Sequence, residues 1–144
     1  MSTIGIWCTV SEAEYKLLRH TMVPLLAHPA VTAAVVVHTG TLSPANAGSL
    51  AAAFHKVREI HRDFGQGFHK SIEEGGYDQL AARNFAIEQI EATGVEWLLQ
   101  FDADEYFDAS VISTVSVLDN RYDAVCCSHY TLLSETELWH EPRV

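Results

Sequence analysis

Trp97-Leu98-Leu99-Gln100-Phe101-Asp102-Ala103-Asp104-Glu105-Tyr106-Phe107-Asp108 joins a short apolar run to four carboxylates within seven residues. The apolar part has the length of a buried strand, and the acidic part is costly. Carboxylates crowded this closely repel one another and lose hydration unless a cation sits among them. A strand that delivers them together at its end is a candidate metal site. In an extended segment Asp102 and Asp104 share one side while Ala103 takes the other. Two carboxylates on one side can hold a hard divalent cation, Mg²⁺ or Mn²⁺, and leave positions open for phosphate oxygens. An EF-hand is excluded, because no glycine occupies the turn after Asp102 and the downstream ligand spacing is absent. The plain alternative is a polar strand exit, with Asp104 capping the next helix.

Outward from this stretch, Asp78–Thr93 reads as the clearest helix. Asp78 is its cap, Leu80, Ala81, Phe85, Ile87 and Ile90 supply an apolar face, and Gly94 stops it. Glu96–Phe101 is then the strand, Ala109–Leu118 a further helix and Tyr122–Leu133 another strand. Upstream, Ile4–Val10 reads as a first strand. Ser11 caps a helix from Glu12 to about Ala27, whose apolar positions are Tyr15, Leu18, Met22, Leu25 and Leu26. Pro24 predicts a kink or an irregular last turn. Val31–Val37 reads as a strand buried on both faces. A loop over His38–Asn46, a short helix over Ser49–Phe54, an edge strand over Val57–Asp63 and a loop over Phe64–Gly76 complete the chain. Strands alternating with helices predict an α/β fold with a mainly parallel sheet flanked by helices. In such sheets ligands bind beyond the carboxyl ends of the strands. Asp102 and Asp104 stand at one of those ends.

The composition bounds the function. The chain has 144 residues, 48% hydrophobic and 19% charged, which predicts one domain over 1–144 with a real core. No apolar run approaches the roughly 20 residues of a membrane span. No basic segment with a signal-type core opens the sequence, and Cys8, Cys126 and Cys127 make no disulfide framework, so a reduced, cytoplasmic setting is expected. A net charge of −10 argues against general nucleic-acid binding but permits a small anion held through a metal. The eight histidines are scattered, with no pair at helical metal-ligand spacing.

Two segments carry a family resemblance: Gly75-Gly76-Tyr77-Asp78-Gln79-Leu80-Ala81-Ala82-Arg83-Asn84-Phe85-Ala86, and Gly94 through the acidic turn to Glu105. Together they resemble the family-two-type glycosyltransferases of the GT-A fold, a Rossmann-like arrangement. In that family an Ala-Arg-Asn helix leads to a Gly-x-Trp/Tyr strand and an Asp-x-Asp end. The likeness covers about residues 65–110 and is topological over 1–45. It implies a metal-dependent enzyme that passes a sugar from a nucleotide-diphosphate sugar to an acceptor hydroxyl. By the same resemblance Asp102 and Asp104 hold the metal, Mn²⁺ or Mg²⁺, while Thr9, Arg83 and Asp102 bind the nucleotide-sugar. Two departures stand out. Where the family carries an acidic residue after its second strand, to meet the base, this chain has His38-Thr39. The family's acceptor-binding half, which supplies the catalytic base, is expected beyond Val144, so no catalytic base is assigned.

Two other functions use the same residues. A phosphohydrolase of the haloacid dehalogenase type also places Asp-x-Asp after an apolar strand, with the first Asp as nucleophile. That motif normally comes after the first strand and is completed by Thr or Val, whereas here it falls late and runs into Glu105-Tyr106. A non-catalytic nucleotide- or metal-binding module would bind a nucleoside diphosphate and turn nothing over.

Overall fold

Alternation along the first strand decides which side chains meet which helices. In the computed structural model, which describes residues 1–39, 49–65, 78–118, 121–126, 130–132 and 138–140, β1 spans Ile4–Val10. Its even-numbered residues Ile4, Ile6, Cys8 and Val10 are buried in one cluster, and Trp7 is buried in a second. Strands β2 (Val31–His38) and β4 (Trp97–Gln100) flank β1, and β3 (Val57–His61) lies outside β2. All pairings in this order, β3-β2-β1-β4, are parallel. At the carboxyl end Val10 faces His38 and His38 faces His61, while Trp7 faces Gln100. The chain is therefore α/β with a parallel four-stranded sheet, as expected, and Val57–His61 is its edge strand among the described residues.

Helices α1 (Glu12–Leu26), α2 (Leu50–Ala53) and α4 (Ala109–Ser116) cover the Ile4–Ile6–Cys8 face, through Leu18, Met22, Leu25, Leu50 and Ile112. Helix α3 (Gln79–Glu91) covers the other face, where Ala86 and Ile90 meet Trp7, Val35 and Val37. Each helix start has a local chemical cause. Ser11 precedes α1 and donates its backbone N–H (2.9 Å) and its hydroxyl (2.6 Å) to the Glu14 carboxylate. The Asp78 carboxylate accepts the Ala81 N–H at 3.0 Å and opens α3. Gly94, at φ +73°, turns the chain out of α3 toward β4. Pro24 sits in the last turn of α1, which runs on to Leu26 with the Ala27 N–H bonded to the Val23 carbonyl at 3.1 Å.

Two expectations change. The buried row of α3 is Ala82–Ala86–Ile90, whereas Leu80 is 70% exposed and Phe85 and Ile87 are half-buried. The side chains of Ile90 and Val95 fill the space over Gly5, where a Cβ would stand 2.8 Å from Ile90 Cγ1 and 2.7 Å from Val95 Cγ2. The second change concerns Tyr122–Leu133. Arg121 to Cys126 are exposed and irregular, and among the described residues of this stretch Tyr130–Leu132 forms the strand, β5. It pairs antiparallel with β6 (Leu138–His140) in a separate two-stranded sheet. Most of the loops expected over His38–Asn46 and Phe64–Gly76 lies outside the described residues. Among the described residues no helix is long and apolar enough to cross a membrane.

Candidate functional site

Because the four strands are parallel, their carboxyl ends share one edge with the N-termini of the helices that come after them. The acidic turn lies there. Phe101 is fully buried and donates its N–H to the Trp7 carbonyl at 3.0 Å, prolonging the register by one residue beyond β4. Ala103 is also buried, and its carbonyl accepts the Thr21 hydroxyl of α1 at 3.0 Å. Between and after these anchors Asp102 is half-buried and Asp104 exposed. The alternation expected of a strand thus persists through a turn, because the two apolar side chains stay in the core. Asp102 and Glu105 close the turn reciprocally: the Asp102 N–H donates to Glu105 Oε2 and the Glu105 N–H to the Asp102 carbonyl, both at 3.0 Å. Phe107 packs on Phe101, with ring centroids 5.6 Å apart.

The cap of α4 is Asp108. Its carboxylate accepts the Ser110 N–H at 2.8 Å, and that bond holds its pKa below the ordinary value. Asp104 is therefore not needed as a cap, which removes the plain alternative for it. Among the described residues neither the Asp102 nor the Asp104 carboxylate accepts a hydrogen bond. Also among the described residues, no group of three or more His, Cys, Asp or Glu side chains is arranged to hold a metal ion. A cation on this turn would take its two protein ligands from hard oxygen donors and fill its remaining positions from water or a ligand. That donor set suits Mg²⁺ or Mn²⁺.

The field at the edge is negative. The Cys8 thiol is pushed up far beyond its ordinary value by burial, and further by Asp102, Glu59 and Glu14. Cys8 stays protonated, so it is no nucleophile. Thr9, half-buried at the penultimate position of β1, lies one strand from β4 and pairs with Val37 on the other side. Arg83 is half-buried in the second turn of α3, near the end of that helix that lies over the carboxyl edge. On one flank of the Ala82–Ala86–Ile90 row, Phe85 meets Phe64 beyond β3, with the Arg62 guanidinium 4.6 Å over its ring. Arg83 lies on the opposite flank, turned away from β3. Thr9, Arg83, Asp102 and Asp104 thus share an edge, and among the described residues no hydrogen bond joins them.

A second cluster on the same edge escaped the sequence reading. His38 Nε2 lies 3.0 Å from Glu59 Oε1. Glu59 Oε2 accepts the Ala51 N–H at 3.0 Å. The Tyr15 hydroxyl bonds to Glu59 and accepts the Leu50 N–H at 3.0 Å. Burial alone would raise the Glu59 pKa, but the bonds from His38, Tyr15 and Ala51 prevail and hold it at about 2. Burial, reinforced by Glu59, pushes the Tyr15 phenol up to about 12. An ionised Glu59 only accepts, so the hydrogen between it and His38 resides on Nε2. The His61 ring stacks on His38 with centroids 4.1 Å apart and an interplanar angle of 13°. Tyr15 tilts against the same ring at 4.7 Å. In sequence the only trace was the alternation Val57-Arg58-Glu59-Ile60-His61, which sets Glu59 and His61 on one face without saying what they meet.

No protein-family model and no characterised protein sequence matches this chain. The reading of the site therefore rests on its own residues and on the motif resemblance.

Proposed function

We propose that the chain is a metal-dependent glycosyltransferase of the GT-A type, which takes a nucleotide-diphosphate sugar and passes the sugar to an acceptor hydroxyl. One observation supports this reading. Asp102, half-buried, and Asp104, exposed, sit on a pinned turn just after the carboxyl end of β4, and their carboxylates have no partner among the described residues.

Asp102 and Asp104 would hold Mn²⁺ or Mg²⁺. When bound, the cation neutralises charge that develops on the leaving diphosphate. The rest of the work belongs to the chain's own groups. Thr21 fixes the Ala103 carbonyl, and the buried Phe101 and Ala103 keep the two carboxylates turned outward. That rigidity matters, since oxygen ligands must converge within a few tenths of an ångström. Thr9 and Asp102, on neighbouring strand ends about 4.8 Å apart in spacing, would receive the nucleoside. Arg83, in the second turn of α3, would meet the phosphates or brace the turn beneath the carboxylates. The acceptor and the base that deprotonates it are assigned to no residue of this chain.

Calorimetric titration of nucleoside diphosphates with and without Mn²⁺ tests the reading. Binding is expected with Mn²⁺, and its loss is expected with EDTA and in Asp104→Ala. Binding that survives both would overturn the metal role. Phosphate trapped covalently on Asp102 would instead mark the phosphohydrolase. Metal-dependent binding without any sugar transfer or donor hydrolysis would mark a non-catalytic module.

A further inference from the structure

His38 and His61 are Cα partners on adjacent parallel strands, so their side chains leave the same face of the sheet side by side. Their rings stack nearly parallel at 4.1 Å. On its other side His38 is bounded by Tyr15, and its Nε2 is tied to Glu59. We propose that this stack is an acid-sensitive latch on the carboxyl edge of β2 and β3, closed while at least one ring is neutral and open when both rings are charged.

The His38 ring points Nε2 at an ionised carboxylate, so a positive charge there is offset at contact distance. A charge on His61 has no such offset. Around His61, β2 presents the His38 ring and β3 presents Glu59, whose two oxygens already serve His38 and the Ala51 N–H. From α1 come Tyr15, neutral at these pH values, and Arg19 near the Tyr15 hydroxyl; the four residues of α2 carry no titratable side chain. A charged His61 would therefore lie face to face with a charged His38. Burial and the His38 charge lower the His61 pKa, and Glu59 only partly opposes them. Since His61 is exposed, its ring can relieve the repulsion by swinging into water. That movement would uncover His38 and Tyr15, the residue whose hydroxyl holds the start of α2 through the Leu50 N–H.

Proton counting gives the direction of the effect. Below the ordinary histidine value of 6.5 the unfolded chain protonates this residue more readily than the folded chain does. The contribution of the closed latch is complete above that value. It is lost as pH falls from 6.5 toward the lowered His61 pKa.

Histidine ring-proton NMR on the full chain, with His38→Gln and His61→Gln to assign the signals, tests the latch. His61 is expected to titrate below its ordinary value and to move up toward it in His38→Gln. A His61 midpoint at its ordinary value, or one unmoved by His38→Gln, would overturn the proposal. His61→Gln changes an exposed ring and keeps the fold accessible to measurement. Between about pH 7.5 and about pH 5 the wild-type chain is expected to lose more thermal stability than His61→Gln. Equal losses would also overturn it.

Discussion

Glu59 and the Asp102–Asp104 pair are carboxylates on the same edge of the same sheet, and the fold treats them oppositely. Glu59 is ringed by donors from α1, α2 and β2, and its pKa is held at about 2. Asp102 and Asp104 have their backbone pinned by Thr21 and Glu105 while their carboxylates accept nothing from the described residues. In the first case the acid completes the structure. In the second the structure pins the backbone and leaves the carboxylates without a partner among the described residues. The contrast separates the two sets of surroundings more cleanly than charge density does, because both regions are acidic.

The largest expected effect breaks the open side of the comparison. Asp104→Ala should weaken Mn²⁺-dependent nucleoside-diphosphate binding at least about a hundredfold, since one of two protein ligands is gone. Its thermal stability should stay near wild type, because the side chain is exposed. Calorimetry beside thermal denaturation distinguishes the two outcomes.

The closed side should behave in reverse. Glu59→Ala is expected to destabilise the fold by about 1–3 kcal/mol, the cost of leaving buried donors unpaired, while metal-dependent binding changes less. Its pH dependence has a definite sign. Glu59 has a folded pKa depressed from 4.5 to about 2, so its contribution is present above 4.5 and is lost as pH falls toward 2. Urea titrations across that window should show wild type and Glu59→Ala converging.

Two smaller changes sharpen the comparison. Gly5→Ala forces a methyl group against Val95 and Ile90 and should cost about 1–3 kcal/mol. If it also weakens nucleotide binding, the seating of α3, and of Arg83 upon it, bears on the site. Thr21→Val removes the pin on the Ala103 carbonyl and should cost about 0.5–1.5 kcal/mol. A loss of metal-dependent binding larger than the loss of stability would show that the turn must be held rigid.

Much of the fold was legible along the chain. Ser11, Asp78 and Gly94 mark helix ends through bonds made within three or four residues, and such bonds need no tertiary context. What was misread depended on distance in space. Leu80 and Phe85 read as part of the apolar face of α3, yet the buried row is Ala82, Ala86 and Ile90, because the arc of a helix that meets the sheet is set by tertiary packing. Tyr15 fitted the helical apolar pattern of α1, but its hydroxyl turned out to matter as much as its ring.

By itself, then, the sequence determined the four strands of the parallel sheet and most helix boundaries, since these depend on periodicity and short-range capping. Only the tertiary structure decided that Glu59 is spoken for and that the other two acids are not. That distinction depends on the register of β2 against β3, which sets His38 beside His61, and on helices α1 and α2 bringing their donors to the same carboxylate.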